Sequence, residues 1–412
     1  MRRVVITGMG AITPLGNDVE TFWAGLVAGR SGAASISYFD ATQAATQFAC
    51  EVKNFDVENY LDSKEAKKAD RVTHYAMAAV DEALKASKLL ASECVLDEVG
   101  VIWGTAVGGV TTFEEQMLAY GRGTRFSPFF VPKISLDSTS GWIARKYGFR
   151  GMNFAIASAC ATSNTVLMDV FNYIRCGQAE VMVAGASEAP IAKGVMSSLN
   201  AMKGLSIRND SPHTASRPYD FERDGFVLGE GAGAFVIESL EHAQNRGATV
   251  YAEIIGAGMS SDAYHMTATH PHGVGVSLAI QRALKSSNIQ LAEVDYINAH
   301  ATSTLDGDIN ELKAIHAVFG NHVRNINISA TKSMTGHLLG AAGAIEAIAC
   351  VQSIAHDCIP PTINVRQLDS QIPEGINLTL DVAMHRKVNV AMSNSFGFGG
   401  RNAVVVFKKF AG

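Results

Sequence analysis

The sequence predicts an α/β protein made of two related lobes, each a sheet covered by helices on both faces. Three observations lead to this prediction. The chain has 412 residues, which is more than a single hydrophobic core usually supports, so two core-sized units are expected. Apolar strands alternate with helical segments, as in sheets that are buried on both faces. Finally, the second half of the chain repeats the order of segments found in the first half.

This repeat consists of three pairs of segments in the same order. The members of each pair share a predicted structure, namely a helix leading into a buried strand, then a strand-turn-helix, then a glycine-rich turn passing into an apolar strand. The pairs are residues 83–105 with 283–300, 153–176 with 325–354, and 225–238 with 395–408. One pair could arise in any α/β protein, but three in one order indicate gene duplication. The boundary is predicted near residues 247–251, giving halves of 1–250 and 251–412.

Charge and hydropathy exclude several classes of partner. The net charge is -5 and no long basic block occurs, so no nucleic acid is expected to bind. The basic, apolar start of the chain is interrupted by glycines and Pro14 before a signal peptide could form, and it is predicted to be the first strand. The longest uncharged stretch, around residues 151–168, is too polar to cross a membrane, so no membrane association is expected.

Of the six cysteines, Cys160 is the candidate nucleophile. The cysteines have irregular spacing and no CxxC pair, which fits neither a disulfide framework nor a zinc site and favours a reducing cytoplasm. Cys160 follows an apolar strand and precedes a helix, where backbone N-H groups are expected to stabilise a thiolate and lower the cysteine pKa. The remaining cysteines are predicted to be small buried apolar residues: Cys50, Cys94, Cys176, Cys350 and Cys358.

Two histidines, His300 and His337, lie at the ends of predicted strands or loops in the second half. Neither has further ligands at the short spacing of a metal site, so no metal is predicted. The loop cluster of His265, His270 and His272 is predicted to be structural as well. The glycine-rich residues 396–400 lack the Lys-Ser/Thr pair and the following helix of a phosphate loop, so we expect a tight turn that lines a pocket.

Four segments in order carry a resemblance to a known family. They read SACAT at 158–162, NAHATST at 298–304, KSMTGH at 332–337 and NSFGFGG at 394–400. Together they resemble the beta-ketoacyl-acyl carrier protein synthases, most of all the type II enzymes of bacteria, and the likeness runs from Val4 to Phe407. The resemblance implies a thiolase-like fold: a duplicated five-layered α-β-α-β-α architecture with two mixed sheets, usually dimeric.

The resemblance also implies an acyltransferase that elongates fatty acyl chains by two carbons without a cofactor. In this reaction Cys160 would take the acyl group from acyl carrier protein, and the backbone N-H groups of Cys160 and Phe398 would form an oxyanion hole. His300 and His337 would then stabilise the enolate formed when malonyl-acyl carrier protein loses carbon dioxide. Lys332 would pair with Glu346 and order the site. Thr302 and Thr304 would hydrogen-bond the pantetheine arm of the carrier. Val107 would act as a gate of the acyl pocket, and Phe396 would take part in substrate binding.

The same resemblance places a carrier-docking cluster at Lys64, Lys67 and Lys68, expected on one helix face, although a plain solvated charge cluster would look the same. The chain departs from the family pattern at three positions. Val107 stands where isoleucine is frequent, Ala301 where glycine is usual, and Arg401 where threonine is commonest. None of these changes removes a reacting group, but the smaller Val107 leaves the preferred chain length open.

Three alternatives share the fold. A non-catalytic chain-length partner subunit would lack the nucleophile, which Cys160 argues against. A thiolase would carry a second cysteine near the carboxy terminus, where this chain has residues 394–396 without one. A stand-alone polyketide ketosynthase has the same triad and chemistry and differs in its pocket and partners, so the sequence separates it poorly from a fatty acid synthase.

Overall fold

The computed structural model of the protein describes residues 1–92 and 95–412. The strands of the first half are β1 (Val4–Ile12), β2 (Ala34–Ser35), β3 (Phe48–Ala49), β4 (Val99–Gly104), β5 (Asn153–Ile156), β6 (Val181–Glu188) and β7 (Gly231–Ser239). Its α-helices are α1 (Val19–Val27), α2 (Ser63–Ala66), α3 (Arg71–Ser87), α4 (Val110–Gly121), α5 (Phe130–Ile134), α6 (Ser138–Tyr147), α7 (Thr162–Arg175), α8 (Lys193–Ala201) and α9 (Leu240–Asn245). Short 3-10 turns cover Val57–Asn59, Leu89–Ala91, Leu96–Glu98 and Pro212–Thr214.

The second half begins at the strand that follows α9. Its strands are β8 (Ala252–Ser261), β9 (Tyr296–Asn298), β10 (Asn327–Ser329), β11 (Cys358–Ile359), β12 (Asn377–Leu378), β13 (Met384–His385), β14 (Val390–Gly397) and β15 (Arg401–Lys408). Its α-helices are α10 (Val274–Ser287), α11 (Leu305–Phe319), α12 (Lys332–Thr335) and α13 (Ala342–His356). Short 3-10 turns cover Leu291–Glu293, Gly320–Asn325 and Leu339–Ala341.

The strand order confirms the predicted duplication. The first half is ordered β5-β4-β6-β7-β1 and the second β10-β9-β14-β15-β8, with β12 added outside β10. Numbered along the chain within each half, both read 3-2-4-5-1. The five numbered strands of each half are mixed in the same way, because the second strand pairs in parallel with the third and fourth, and the other pairs among the five are antiparallel.

The two predicted mixed sheets are joined along one edge. A short antiparallel ladder between β1 and β8, running from Val4 opposite Ile254 to Ile6 opposite Ala252, makes them one continuous eleven-stranded sheet. Two further two-stranded sheets, β2-β3 and β11-β13, lie outside it. Strong twist lets such a sheet present its halves on either side of a shared layer of helices.

Five layers follow from the three large hydrophobic clusters. Helices α7 and α13 pack with residues of both half-sheets in the central cluster. Helices α3 and α6 cover the outer face of the first half-sheet, and α10 and α11 cover the outer face of the second. The outer helices pack closely because glycine stands beneath them: a Cβ at Gly10 would lie 1.9 Å from Ala79 O, and one at Gly258 would lie 2.3 Å from Ala279 O.

The central helix α13 is strongly apolar. Within the described part of the chain, Leu339–His356 is the one helical stretch with the length and mean hydropathy of a membrane span, and 78% of it is buried inside the protein. A core helix lying between two sheets has this composition because it is covered on all sides.

Candidate active site

The carboxyl ends of parallel strands from both halves converge on one cavity. In the first half, Cys160 follows β5 and Val107 follows β4. In the second half, His300 follows β9, and His337 follows β10 and the single turn of α12. Ligand sites of α/β sheets form at such strand ends, and the duplication brings the two sets of strand ends together.

Cys160 lies on a strained turn at the start of α7. Ala159, directly before it, has a left-handed φ of 51°, a conformation that costs a non-glycine residue energy and is found where a side chain must be aimed. Thr162 braces the turn, because its Oγ1 accepts from Ser158 N at 2.8 Å and donates to Ala159 O at 2.6 Å. The Cys160 side chain is thereby held, buried, in the lining of the cavity.

The Cys160 sulphur contacts one of the two predicted histidines directly. Sγ lies 3.1 Å from His337 Nε2. The backbone of His337 is held by its N-H, which donates to Val227 O at 2.7 Å, and its ring packs edge-on against Phe226 with 5.4 Å between ring centroids. This geometry places a single ring nitrogen at the thiol.

His300 completes the cluster through ring contacts. Its ring centroid lies 5.3 Å from that of His337, at an interplanar angle of 84°, and 5.7 Å from that of Phe396. The sequence reasoning missed the residue that holds it, Glu311 on α11. The Glu311 carboxylate accepts from His300 N at 2.9 Å and from Ala301 N at 2.8 Å, and also from Asn394 Nδ2 at 3.0 Å.

Both histidines are neutral at physiological pH. Burial, followed by the nearby charge of Lys332, lowers the pKa of His300 and of His337 well below the usual 6.5, and the neighbouring His337 lowers the pKa of His300 further. A neutral imidazole carries one N-H and one unprotonated nitrogen. The pair can therefore donate hydrogen bonds to an oxygen that develops negative charge, without itself carrying a charge in the resting state.

The expected low pKa of Cys160 is wrong for the resting protein. Burial raises the pKa of the thiol to about 11, and it outweighs the lowering by Lys332, by the backbone N-H of Phe398 and by that of Cys160 itself. The backbone N-H groups of Cys160 and Phe398 do favour the thiolate, but desolvation of an anion in a buried site is the larger effect. The sulphur therefore rests as a thiol hydrogen-bonded to His337.

A buried ion pair lies behind the histidines. Lys332 Nζ donates to Glu346 Oε1 at 2.5 Å, and both side chains are almost fully buried. Burial raises the pKa of Glu346 to about 7 despite the opposing effect of Lys332. Lys332 supplies the positive charge that acts on both histidines and on Cys160.

The turn between β14 and β15 faces the sulphur. Its residue Phe398 directs a backbone N-H at Cys160, and Gly397 packs so closely that a Cβ there would lie 2.9 Å from Cys160 N. Gly399 and Gly400 have left-handed φ values of 78° and 68°. Two backbone N-H groups, those of Phe398 and Cys160, thus converge at the thiol, as an oxyanion hole requires.

A cavity of about 1180 Å³ joins these groups, larger than the roughly 300 to 1,000 Å³ of ordinary ligand pockets. Apolar side chains of α4 and α8 form part of its wall. Thr302 and Thr304 also line it, and their hydroxyls lie 3.1 Å apart. All the predicted catalytic and substrate residues except Lys332 line the cavity: Cys160, His300, His337, Phe396, Phe398, Val107, Thr302 and Thr304.

The three predicted docking lysines are exposed and lie outside this cavity. Lys64 lies in α2, Lys67 is the C-cap residue of that helix and has helical φ and ψ, and Lys68 follows it. Lys68 contacts the Phe129 ring, with Nζ 5.6 Å from the ring centroid. It also lines a small groove of about 280 Å³ together with Phe129 and Arg145.

The structure also places the other cysteines, the loop histidines and the residues that depart from the family pattern. Cys50, Cys350 and Cys358 are buried as predicted, whereas Cys176 is exposed, so its prediction is wrong. Cys94 lies outside the described residues. In the part of the chain that is described, the loop histidines belong to no group of three or more His, Cys, Asp or Glu side chains able to hold a metal ion. Ala301 is buried beside His300, and exposed Arg401 donates to Phe398 O at 3.1 Å.

Comparison with known proteins identifies the family. A model described as the beta-ketoacyl synthase N-terminal domain matches residues 1–243, and one described as the C-terminal domain matches residues 251–366. The chain belongs to the beta-ketoacyl synthase family. This synthase is 44% identical over 411 residues to the 3-oxoacyl-[acyl-carrier-protein] synthase 2 of Synechocystis sp. (strain PCC 6803), covering 99% of this chain and 98% of the relative.

Solved structures give the same fold along the whole chain. The synthase is similar to the ishigamide ketosynthase/chain length factor, with a TM-score of 0.93 and 34% identity over 100% of both chains. It is also similar to a type II PKS acyl-carrier protein in complex with its ketosynthase bound to the hexaketide, with a TM-score of 0.91 and 32% identity over 100% of both chains. The predicted thiolase-like fold and the predicted enzyme class, a condensing acyltransferase, are therefore confirmed.

Proposed function

We propose that the protein is a beta-ketoacyl-acyl carrier protein synthase that elongates fatty acyl chains by decarboxylative condensation. The observation that carries the proposal is the contact of Cys160 Sγ with His337 Nε2 at 3.1 Å, inside a cavity that His300 and two converging backbone N-H groups also line. A relative named 3-oxoacyl-[acyl-carrier-protein] synthase 2 that matches over the full length supports the substrate class.

The first half of the reaction transfers the acyl group to the protein. As the Cys160 sulphur attacks the acyl thioester, its proton passes to His337 Nε2. The tetrahedral oxyanion accepts hydrogen bonds from the N-H groups of Cys160 and Phe398. Collapse of this intermediate breaks the bond to the carrier's pantetheine sulphur, which leaves with the proton as the free carrier thiol. The acyl chain stays on Cys160, in the apolar part of the cavity.

The second half joins two carbons to the bound chain. Malonyl-acyl carrier protein loses carbon dioxide, and the electron pair of the broken bond becomes an enolate on the thioester. The enolate oxygen accepts hydrogen bonds from the neutral imidazoles of His300 and His337, as in other sites where charge develops on oxygen. The enolate carbon then attacks the acyl-Cys160 carbonyl, the cysteine sulphur leaves as a thiolate, and a proton taken up from solvent restores the thiol. The product is a beta-ketoacyl chain on the carrier.

The supporting residues take the following roles in this proposal. Lys332, held in place by its ion pair with Glu346, keeps positive charge behind the triad, and Glu311 positions the His300 segment. The hydroxyls of Thr302 and Thr304 bind the pantetheine arm, while Val107 and Phe396 border the acyl chain. Lys64, Lys67 and Lys68 form an exposed basic cluster that suits an acidic carrier protein, because complementary charge speeds encounter.

Polyketide synthesis is the second candidate, and it has a specific observation in its favour. Two of the similar structures are a ketosynthase/chain length factor and a ketosynthase bound to a hexaketide. Their identities, 34% and 32%, are lower than the 44% shared with the fatty acid synthase, so fatty acid elongation is the preferred assignment. The non-catalytic chain-length partner is disfavoured because Cys160 and its base are both present.

We further propose that the protein works as a homodimer of units built from halves 1–250 and 251–412, in a reducing cytoplasm, where free thiols stay reduced. An exposed apolar cluster supports the dimer; its members are Phe113, Met117, Leu118, Tyr120, Phe126, Phe129, Val131 and Leu136. The outer strand β5 also leaves one edge of the large sheet open to pairing. Sedimentation velocity tests the dimer, and a single species of 43.8 kDa would contradict it.

The decisive experiment is mass spectrometry of the protein after exposure to acyl carrier thioesters of graded length. We expect one acyl group per chain, located on the peptide that contains Cys160, and none on a Cys160→Ala variant with unchanged circular dichroism. Polyketide intermediates retained in preference to saturated acyl groups would favour the second candidate. Cys160→Gln should raise carbon dioxide release from malonyl carrier without condensation, since the amide mimics the acylated side chain.

A further inference from the structure

A buried carboxyl group next to the cavity has no part in the reaction described above. Glu188 is the last residue of β6 and is completely buried. It lies at the carboxyl end of the sheet beside β4, which leads into the cavity wall at residues 105–109. On the other side it packs against the segment that follows His337, since a Cβ at Gly340 would lie 2.8 Å from Glu188 Oε1 and 2.8 Å from Ala106 N.

The hydrogen bonds of Glu188 all go to the chain beside Val107. Thr105 Oγ1 donates to Glu188 Oε1 at 2.9 Å, and Ala106 N donates to the same oxygen. The Val107 N-H is also close enough to act on the carboxyl group. Thr105 Oγ1 in turn accepts from Gly108 N at 3.0 Å. The backbone from which the Val107 side chain projects is therefore held by one carboxyl group.

No positive charge compensates this group. Among residues 1–92 and 95–412, no Lys, Arg or His nitrogen lies within ion-pair distance of Glu188, and its Oε2 has no hydrogen-bond partner. The ionisable groups that face it are Asp70, ahead of α3, and Cys160, at the start of α7, and both are acidic. A buried carboxyl without a cation stays protonated, because ionisation would place an unpaired charge in a dry site.

We propose that Glu188 is a positioning residue that acts in its neutral form, holding the Val107 wall of the acyl cavity while keeping negative charge away from the Cys160 thiol. The proposal rests on the assignment of Cys160 as the acyl carrier. Hydrogen bonds from residues 105–107 need the carboxyl oxygen as acceptor, which a glutamine also offers. Formation of the Cys160 thiolate during acylation needs the carboxyl to be uncharged.

The direction of the pH effect follows from the site. Burial raises the pKa of Glu188 to about 8, against the lowering by the hydrogen bonds from Ala106, Thr105 and Val107. Below that pH the carboxyl is neutral. Above that pH the carboxylate forms. Burial is the main cause that raises the pKa of Cys160, and the charge of Glu188 raises it further. In alkaline solution the Glu188 carboxylate therefore slows reaction at Cys160. A side chain at position 188 that cannot ionise, such as glutamine, should not slow it.

The test compares wild type, Glu188→Gln and Glu188→Ala in two assays. The first is the rate of Cys160 alkylation by iodoacetamide from pH 6 to pH 10, located by peptide mass spectrometry, which requires no condensation activity. Below pH 7 the wild type and Glu188→Gln should react at equal rates. At pH 9 the Gln variant should react roughly three- to ten-fold faster, the effect of up to one unit of cysteine pKa.

The second assay measures transfer of short and long acyl groups to Cys160 at pH 7. Glu188→Gln should keep the wild-type length profile within about twofold, while Glu188→Ala should lose about tenfold or more on long chains, because the wall at Val107 is no longer held. Thermal unfolding of each variant identifies any that fails to fold. Equal alkylation curves for wild type and Gln, or a Gln variant that behaves like Ala, would overturn the proposal. A wild type that takes no acyl group on Cys160 would instead overturn the proposed function, whatever the alkylation curves.

Discussion

Replacement of Lys332 by methionine separates the structural and chemical roles of the buried pair. The substitution keeps the length of the side chain and removes the charge that acts on the triad, leaving Glu346 buried without its donor. Breaking a buried ion pair from one side costs about 3 to 5 kcal/mol. Burial already raises the pKa of Glu346 to about 7, so the stranded carboxyl can protonate, and we expect the lower end, about 3 kcal/mol.

Urea unfolding measures this loss, and a double variant isolates its cause. In Lys332→Met/Glu346→Leu no charge is stranded, so most of the stability should return. Activity should not return, because the pKa of Cys160 and of both histidines would rise without the lysine, which lowers all three. The exposed pair of Lys85 with Asp81 is the matched control, where Lys85→Met should cost about 0.3 to 0.5 kcal/mol. A double variant with full activity would refute the chemical role of Lys332.

Three further predictions concern the cavity, the docking cluster and acid stability. Val107→Phe should lower the elongation rate of long acyl chains about ten-fold or more and leave that of short chains unchanged. The added ring forces neighbouring side chains to move, which costs about 1 to 3 kcal/mol. An equal fall in rate for all lengths in competitive elongation would mean that Val107 supports the scaffold. Lys67→Glu/Lys68→Glu should lower the rate with carrier-bound substrates more than the rate with a pantetheine analogue. Added salt should reduce the difference between variant and wild type, and equal losses of rate on both substrates would argue for a role in folding. Burial would raise the pKa of Glu238, but hydrogen bonds led by Arg246 hold it at about 2. Its contribution of about 3 kcal/mol should therefore be complete above pH ~4.3 and lost as the pH falls to about 2. Glu238→Gln should flatten acid unfolding in that window, and an unchanged curve would contradict the assignment.

The parts of the fold that were predictable depend on local patterns. Segments 153–176 and 325–354 became β5 with α7 and β10 with α13, because a short apolar run followed by a helical period specifies a strand-turn-helix wherever it lies. The repeated order of segments then predicted that the two halves share one fold, and their identical strand order confirms it. The joining of the two sheets through β1 and β8 was not predictable, since a ladder of three residue pairs leaves no pattern of its own.

The chemistry at the site was less predictable where it depends on contacts between distant segments. The position of Cys160 ahead of a helix can be read from the sequence, but the burial that raises its pKa comes with contacts to His337 and to the turn after β14. Glu311 did leave a signal. It and Asp308 lie three apart on α11, on the face that also carries Leu312 and Ile315, and all four are buried. Carboxylates on an apolar helix face have buried donors to bind, here the backbone N-H groups of the segment that carries His300.

Burial of the site serves both halves of the proposed reaction. Burial keeps His300 and His337 neutral, and a neutral ring offers one unprotonated nitrogen as acceptor and one N-H as donor. The same burial strengthens each hydrogen bond to the developing oxyanion. Its cost is a thiol pKa of about 11, so the thiolate forms together with its attack on the thioester, when the oxyanion hole takes up the charge. A resting thiol is also less open to oxidation than a thiolate. The raised pKa of Cys160 therefore suits a nucleophile that must wait for a carrier-bound substrate.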